Sequence, residues 1–168
     1  MSAAVTILLG SASDWDTMKE TGVELDKLQV AWEVHVSSAH RTLQRTVELV
    51  RCAESAGTRV FVCGAGMAAH LAGVVAATTT RPVIGVPLPG GLADGLDALL
   101  STVQMPAGVP VATLAVGRAG ARNAAYLAAQ MLALADPLLA ERLVQARVSL
   151  NEAVVAADES LPRPGSRP

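Results

Sequence analysis

The sequence predicts an α/β protein: a three-layer, doubly wound parallel sheet in flavodoxin-like order, with five core strands and a C-terminal helical extension. Three observations lead there. Five short apolar runs alternate with segments of helical periodicity, the pattern that builds a parallel sheet covered on both faces. A glycine, proline or serine closes each run, so each strand ends in a turn. The 168 residues are 51% apolar with a mean hydropathy of +0.40, which excludes a disordered chain; 31 alanines and 14 glycines against four aromatics let elements approach closely while burying little area per contact.

Taken in order, Val5 to Leu9 is the first strand, stopped at Gly10, and a helical pattern follows through about Leu28 with Trp15, Met18, Gly22, Leu25 and Leu28 on one face. Ser13 with Asp16 three residues on resembles a capping box for that helix. The second strand, Val30 to Val36, alternates apolar residues with Ala31, Glu33 and His35, which leaves His35 on the exposed side. A helix from about Thr42 to Ala56 turns Leu43, Val47, Val50 and Ala53 inward and stops at Gly57. The third strand starts at Arg59 and ends at Cys63, and a small-residue helix then runs to about Thr79. Val83 to Pro87 is the fourth strand, Pro87 to Gly91 a loop, and Leu92 to Thr102 a short helix. The fifth strand covers Val111 to Val116, a helix covers Ala119 to Ala135, and a last helix runs from Pro137 to about Ala157. One domain, residues 1–160, accommodates all of this, and 161–168 reads as a disordered tail.

Parallel strands put the loops after strands one, two and three on the same C-terminal edge, where open α/β sheets bind ligands. Ser11, Asp14, Ser38, His40, Arg41 and His70 thereby reach one crevice. Amides at the first helix start, with the Ser11 and Ser13 hydroxyls, suit an anionic group, although Ser13 alone also reads as an ordinary cap. Asp14 would repel a phosphate at contact range, so a sugar hydroxyl is its better partner. Histidine is the side chain whose ordinary titration range spans neutral pH, which suits His40 to proton transfer. Arg41 offers a planar fork for phosphate or carboxylate, at a helix start that is electrostatically poor for a cation unless an anion is present. His70 reads either as a second site residue or as a satisfied helical histidine. Gly64 and Gly66 would let backbone approach a ligand closely.

Several classes fall away. A net charge of −2 with scattered Lys and Arg gives no electrostatic support to nucleic-acid binding. No apolar run approaches the ~20 residues that span a bilayer, and the start lacks a basic leader, so a cytoplasmic protein is expected. Cys52 and Cys63 have no metal-ligand spacing and read as buried free thiols. Neither GxGxxG nor GxxxxGK[ST] occurs, so no dinucleotide or nucleoside triphosphate is implied. The residues alone stop at a small anionic ligand in a strand-end crevice with a histidine for acid–base work.

Five stretches in register go further: Gly10-Ser-Ala-Ser-Asp14-Trp15, Ser38-Ala-His-Arg-Thr42, Gly64-Ala-Gly-Met-Ala-Ala-His-Leu71, Val83-Ile-Gly-Val-Pro87, and Val103-Gln-Met-Pro106 with Gly108-Val-Pro-Val111. They resemble the PurE family of purine biosynthesis from about residue 5 to 135. The resemblance implies a bacterial-type mutase that moves a carboxylate from the exocyclic nitrogen of N5-carboxyaminoimidazole ribonucleotide to ring carbon C4, with no metal or organic cofactor, and a homo-octamer. It implies His40 as general acid and base and Ser11, Asp14 and Arg41 as substrate-binding; Ser13, Ser38, Gly66, His70 and Leu71 are expected to complete the substrate site. The family also holds a carboxylase type using free carbon dioxide; Arg41 and His70 in their contexts look like the mutase type. A non-catalytic nucleotide-binding module is the alternative of another class. Three residues depart from the family pattern: Met67 stands where glycine is common, and Ala72 and Leu43 where proline is common.

Overall fold

The computed structural model describes residues 2–162 and contains one five-stranded, all-parallel sheet. Its strands are β1 (Val5–Leu9), β2 (Trp32–Val36), β3 (Val60–Ala65), β4 (Val83–Pro87) and β5 (Ala112–Thr113), in spatial order β2-β1-β3-β4-β5. That is the flavodoxin-like order expected from the sequence. Six helices connect or extend it: α1 (Trp15–Lys27), α2 (Leu43–Ala56), α3 (Leu71–Ala76), α4 (Leu96–Val103), α5 (Arg118–Ala133) and α6 (Pro137–Glu159).

Strand residues alternate between two cores, as the period of two requires. Val5, Ile7 and Leu9 of β1, Val60 and Val62 of β3, and Ile84 and Val86 of β4 face α1 and α5, whose contribution is largely small side chains: Ala121, Ala124, Ala125 and Ala128 are all fully buried. Leu8, Phe61, Cys63 and Val83 face the other way, onto Val50 and Ala53 of α2 and Leu71 and Val75 of α3. Close approach is what the small residues permit. A Cβ on Gly120 would run into the Ala115 carbonyl, and one on Gly22 would stand 2.6 Å from the Trp32 ring. Thr21 of α1 donates to the buried Ala121 carbonyl of α5 at 2.7 Å, fastening the pair.

Several elements differ from expectation, each for a local reason. A 3₁₀ turn at Ala12–Asp14 precedes α1, so the acidic cap sits two residues early: the Ser11 N–H donates to Asp14 Oδ2 at 2.8 Å, and the Ser13–Asp16 box does not form that cap. In α2 the buried face is Thr46, Val50 and Ala53, whereas Leu43 is exposed and Val47 only half-buried. Thr46 can be buried because its hydroxyl is 2.8 Å from that of buried Ser37 and donates to Thr42 O at 3.2 Å. Helix α3 stops at Ala76, ahead of a threonine run in which Thr79 turns out to bond Glu54 at 2.7 Å. The segment expected as one helix from Leu92 is a 3₁₀ turn, Leu92–Asp94, broken from α4 by Gly95 at φ +108. Strand β5 is two residues long: it follows Pro110, which has no N–H to give, and beyond Thr113 the chain turns toward α5 through a bond from Gly117 N–H to Pro87 O. His35 is half-buried, with Nε2 3.5 Å from Glu33 Oε1, and Cys52 is exposed while Cys63 is buried.

The C-terminal extension, α6, is capped by the Asp136 side chain accepting from Leu139 N–H at 3.1 Å, with Pro137 at its first position. Leu139 is its one buried residue, and Arg142 Nε donates to Leu28 O at 2.8 Å. Of the tail, 163–168 lies outside the described residues. Among the described residues no helix is long and apolar enough to cross a membrane.

Candidate active site

All four loops at the C-terminal ends of β1 to β4 converge on one cavity of about 640 Å³. Ser11, Ser13, Asp14, Ser38, His40, Arg41, Gly66, His70 and Leu71 all line it, whereas Gly64 does not. The reason is topological. Three loops that are distant in sequence leave adjacent strands of a parallel sheet at the same edge.

The β1 loop supplies an acid. Asp14 is half-exposed; burial raises its pKa, opposed by hydrogen bonds from the backbone N–H groups of Ser11 and Gly10. Ser13 Oγ donates to Ser11 Oγ at 3.0 Å, so two hydroxyls and a carboxylate cluster at the turn.

The β2 loop is clamped from below so that its polar tips stay up. Ser37 N–H donates to Leu9 O at 2.8 Å, continuing the sheet, and its hydroxyl is held among Thr46 and Thr42. Thr42 closes the loop from Ser38 on itself: its Oγ1 accepts from Ser38 N–H at 2.9 Å and donates to Ser38 O at 3.1 Å. Arg41 lies exposed across the opening, with Nε 3.3 Å from Ser38 Oγ and Nη2 3.4 Å from Gly10 O, so its guanidinium bridges the ends of β1 and β2. Leu43 is the first residue of α2, a position that suits proline.

The β3 loop brings the second histidine. His40 Nε2 and His70 Nδ1 are 2.7 Å apart, and the rings meet edge to face with centroids 4.9 Å apart. Imidazoles at that distance share one proton between facing nitrogens, one donating and one accepting. His70 thus lines the same cavity as His40 and finds its ring partner there, across the two loops. Leu71, 1% exposed, forms part of the floor. Gly66 lies beside the Leu88 and Pro89 carbonyls: a Cβ there would stand 3.7 and 3.8 Å from them. Gly64 serves packing, since a Cβ on it would come within 2.6 Å of Met18 Cγ. The expectation that Gly64 admits a ligand is thus replaced by a close approach of α1.

Sequence reasoning missed the β4 loop as a wall: Pro89, Gly90 and Gly91 line the same cavity. The signal was present in the breaker-rich stretch directly after the fourth strand, on the same sheet edge. The arrangement offers a guanidinium and hydroxyls for an anion, a carboxylate for a hydroxyl-bearing group, and a histidine pair for moving a proton.

Comparison with known proteins agrees with this geometry. The model of the AIR carboxylase family matches residues 4–153. The N5-carboxyaminoimidazole ribonucleotide mutase of Pseudomonas aeruginosa is 50% identical over 155 residues, covering 92% of this chain and 95% of that protein. The mutase of the same name from Bacillus subtilis is 48% identical over 161 residues, covering 96% and 99%. The crystal structure of Treponema denticola PurE superposes with a TM-score of 0.85 at 27% identity, over 95% of this chain and 98% of that one. With a sheet of the expected order, a histidine pair at its C-terminal edge and a family match over nearly its whole length, this chain belongs to the AIR carboxylase family, as its sequence motifs implied.

Proposed function

We propose that this chain, acting as a single unit over residues 1–160, is an N5-carboxyaminoimidazole ribonucleotide mutase of purine biosynthesis. The observation that carries the choice of reaction is the 48–50% identity with mutases over more than nine-tenths of the chain. The site geometry supports a division of labour. Arg41, Ser11, Ser13 and Ser38 hold the phosphate, Asp14 a ribose hydroxyl, and the backbone at Gly66 with Leu71 and His70 bounds the imidazole end.

His40 acts as general acid and then general base. The exocyclic N–C bond breaks with its electron pair left on nitrogen, which takes a proton from His40, and carbon dioxide is released into the pocket. Ring carbon C4 then attacks that carbon dioxide, forming the new C–C bond, and its proton returns to His40. Proton and carboxylate are both conserved, so the cycle needs no external donor and no cofactor. His70, 2.7 Å from His40, supplies the partner that holds the His40 ring and its proton between turnovers.

We further propose a cytoplasmic homo-octamer with a nucleotide substrate and no nucleic-acid or membrane partner. Exposed apolar side chains on and before α4 (Leu92, Leu96, Leu100, Val103) and on α6 (Leu138, Val144, Val154) provide surface for neighbouring copies. Light scattering checks this: the expected particle has eight times the 17.2 kDa chain mass. For the reaction, purified protein given the N-carboxylated nucleotide without ATP should form the C-carboxylated isomer. No conversion at high enzyme concentration would sink the proposal, and turnover of aminoimidazole ribonucleotide dependent on bicarbonate would replace it with the direct carboxylase.

A further inference from the structure

We propose that Met67 is a substrate-contacting residue of this chain, its thioether packing on the heterocyclic ring of the bound nucleotide; this rests on the nucleotide-binding reading of the site above. Met67 lines the same cavity as Asp14, His40 and His70. Its backbone is left-handed, at φ +52, a conformation that costs free energy for any residue with a Cβ and nothing for glycine. Burial in the core does not offset that cost, because the residue is 64% exposed. Such an outlier at a site calls for a partner outside the fold itself.

The surroundings indicate which partner. The neighbouring wall is nearly bare of side chains: Ala39, Ala65, Gly66, Ala68, Gly90 and Gly91 present a methyl or nothing. Leu71 is sunk into the floor, so Met67 is the long, flexible apolar side chain standing free at this wall. Its position is tied to the histidine end. The Met67 carbonyl accepts from Ala69 N–H at 2.9 Å and the Ala68 carbonyl from His70 N–H at 2.8 Å, two tight turns that fix Met67 relative to His70. The anion-binding groups Arg41 and Ser11 belong to the β1 and β2 loops instead. A polarizable sulfur beside a planar heteroaromatic ring is a favourable contact, whereas phosphate and ribose offer it nothing comparable.

The test uses isothermal titration of the full chain and of Met67→Ala, Met67→Gly and Met67→Leu with two probes: the product nucleotide, 4-carboxy-5-aminoimidazole ribonucleotide, and ribose 5-phosphate, which lacks the ring. Alanine keeps the left-handed cost and glycine removes it, so agreement between the two isolates the side chain from the backbone. Both should weaken the nucleotide about threefold to tenfold, while ribose 5-phosphate changes less than about twofold and leucine stays close to wild type. Equal weakening of both probes, or no weakening of the nucleotide in either variant, would overturn the assignment while leaving the proposed function in place. Wild type binding the nucleotide no better than ribose 5-phosphate would remove the functional reading and Met67's role together.

Discussion

Replacing Gly64 by alanine separates a packing glycine from a ligand-facing one. The added Cβ would stand 2.6 Å from Met18 Cγ and 2.8 Å from its Sδ, inside the distance at which ordinary contact begins at 3.4 Å. Met18 is fully buried, so its chain can move aside only among other core side chains. Overpacking of this kind costs about 1–3 kcal/mol. For a chain of this size each kcal/mol lowers Tm by about 2–4 °C, so a drop of about 2–12 °C is expected. Met18→Ala alone should cost about 2–5 kcal/mol through the cavity it leaves. In the double variant the methyl group added by Gly64→Ala fills part of that cavity, and the combined loss should be smaller than the sum by about 1 kcal/mol or more. Urea unfolding at fixed protein concentration gives the four stabilities, fixed because association adds to apparent stability. Steady-state kinetics gives the second readout, with KM within about threefold of wild type for Gly64→Ala, since the altered contact is not with ligand. Wild-type stability together with a large rise in KM would refute the packing argument and return Gly64 to the ligand.

Three further outcomes follow from the site and its surroundings. Asp14→Asn keeps an oxygen to accept from Ser11 N–H but cannot ionise. Because burial raises the Asp14 pKa, the stability of its neutral form is fully present below the unfolded-state value and is lost as pH rises through the folded one. Relative to wild type the variant should therefore gain thermal stability between about pH 3.5 and pH 7, even as it loses nucleotide affinity; a constant difference across that range would contradict the assigned cause. Arg41→Ala should weaken ribose 5-phosphate about tenfold to a hundredfold by removing charge-assisted bonds, measured by calorimetry, and an unchanged affinity would remove Arg41 from the phosphate site. Native protein should react with a thiol reagent at exposed Cys52 and not at Cys63, whose thiol pKa burial pushes far up; both should react in denaturant.

The strands that lie centrally in the sheet were the most legible part of the sequence. β1, β3 and β4 are buried on both faces, so they appear as unbroken apolar runs, and breakers mark their ends. With strand order following from parallel topology, the site residues could be assembled without side-chain detail. What escaped depends on contacts between distant segments. Thr46 occupies a core position that a hydrophobic pattern assigns to its neighbours, because Ser37, nine residues earlier, satisfies its hydroxyl. Gly64 and Gly66 look alike in sequence, yet one faces Met18 and the other the β4 loop. His70 reads two ways in sequence, because its 2.7 Å approach to His40, thirty residues away, is made only by the fold. The break at Gly95 follows left-handed backbone at Ala93 and Asp94, which residue type alone does not announce.

In the proposed reaction His40 moves the proton of a carboxylate transfer closed to the outside. Nucleotide carrying ¹³C in its N-carboxylate, given to wild type and to His40→Asn in unlabelled bicarbonate and followed by ¹³C NMR, tests it most directly. Wild type should deliver the label to C4, while His40→Asn should bind the product nucleotide but form none. Product without label, or turnover by His40→Asn at the wild-type rate, would contradict it.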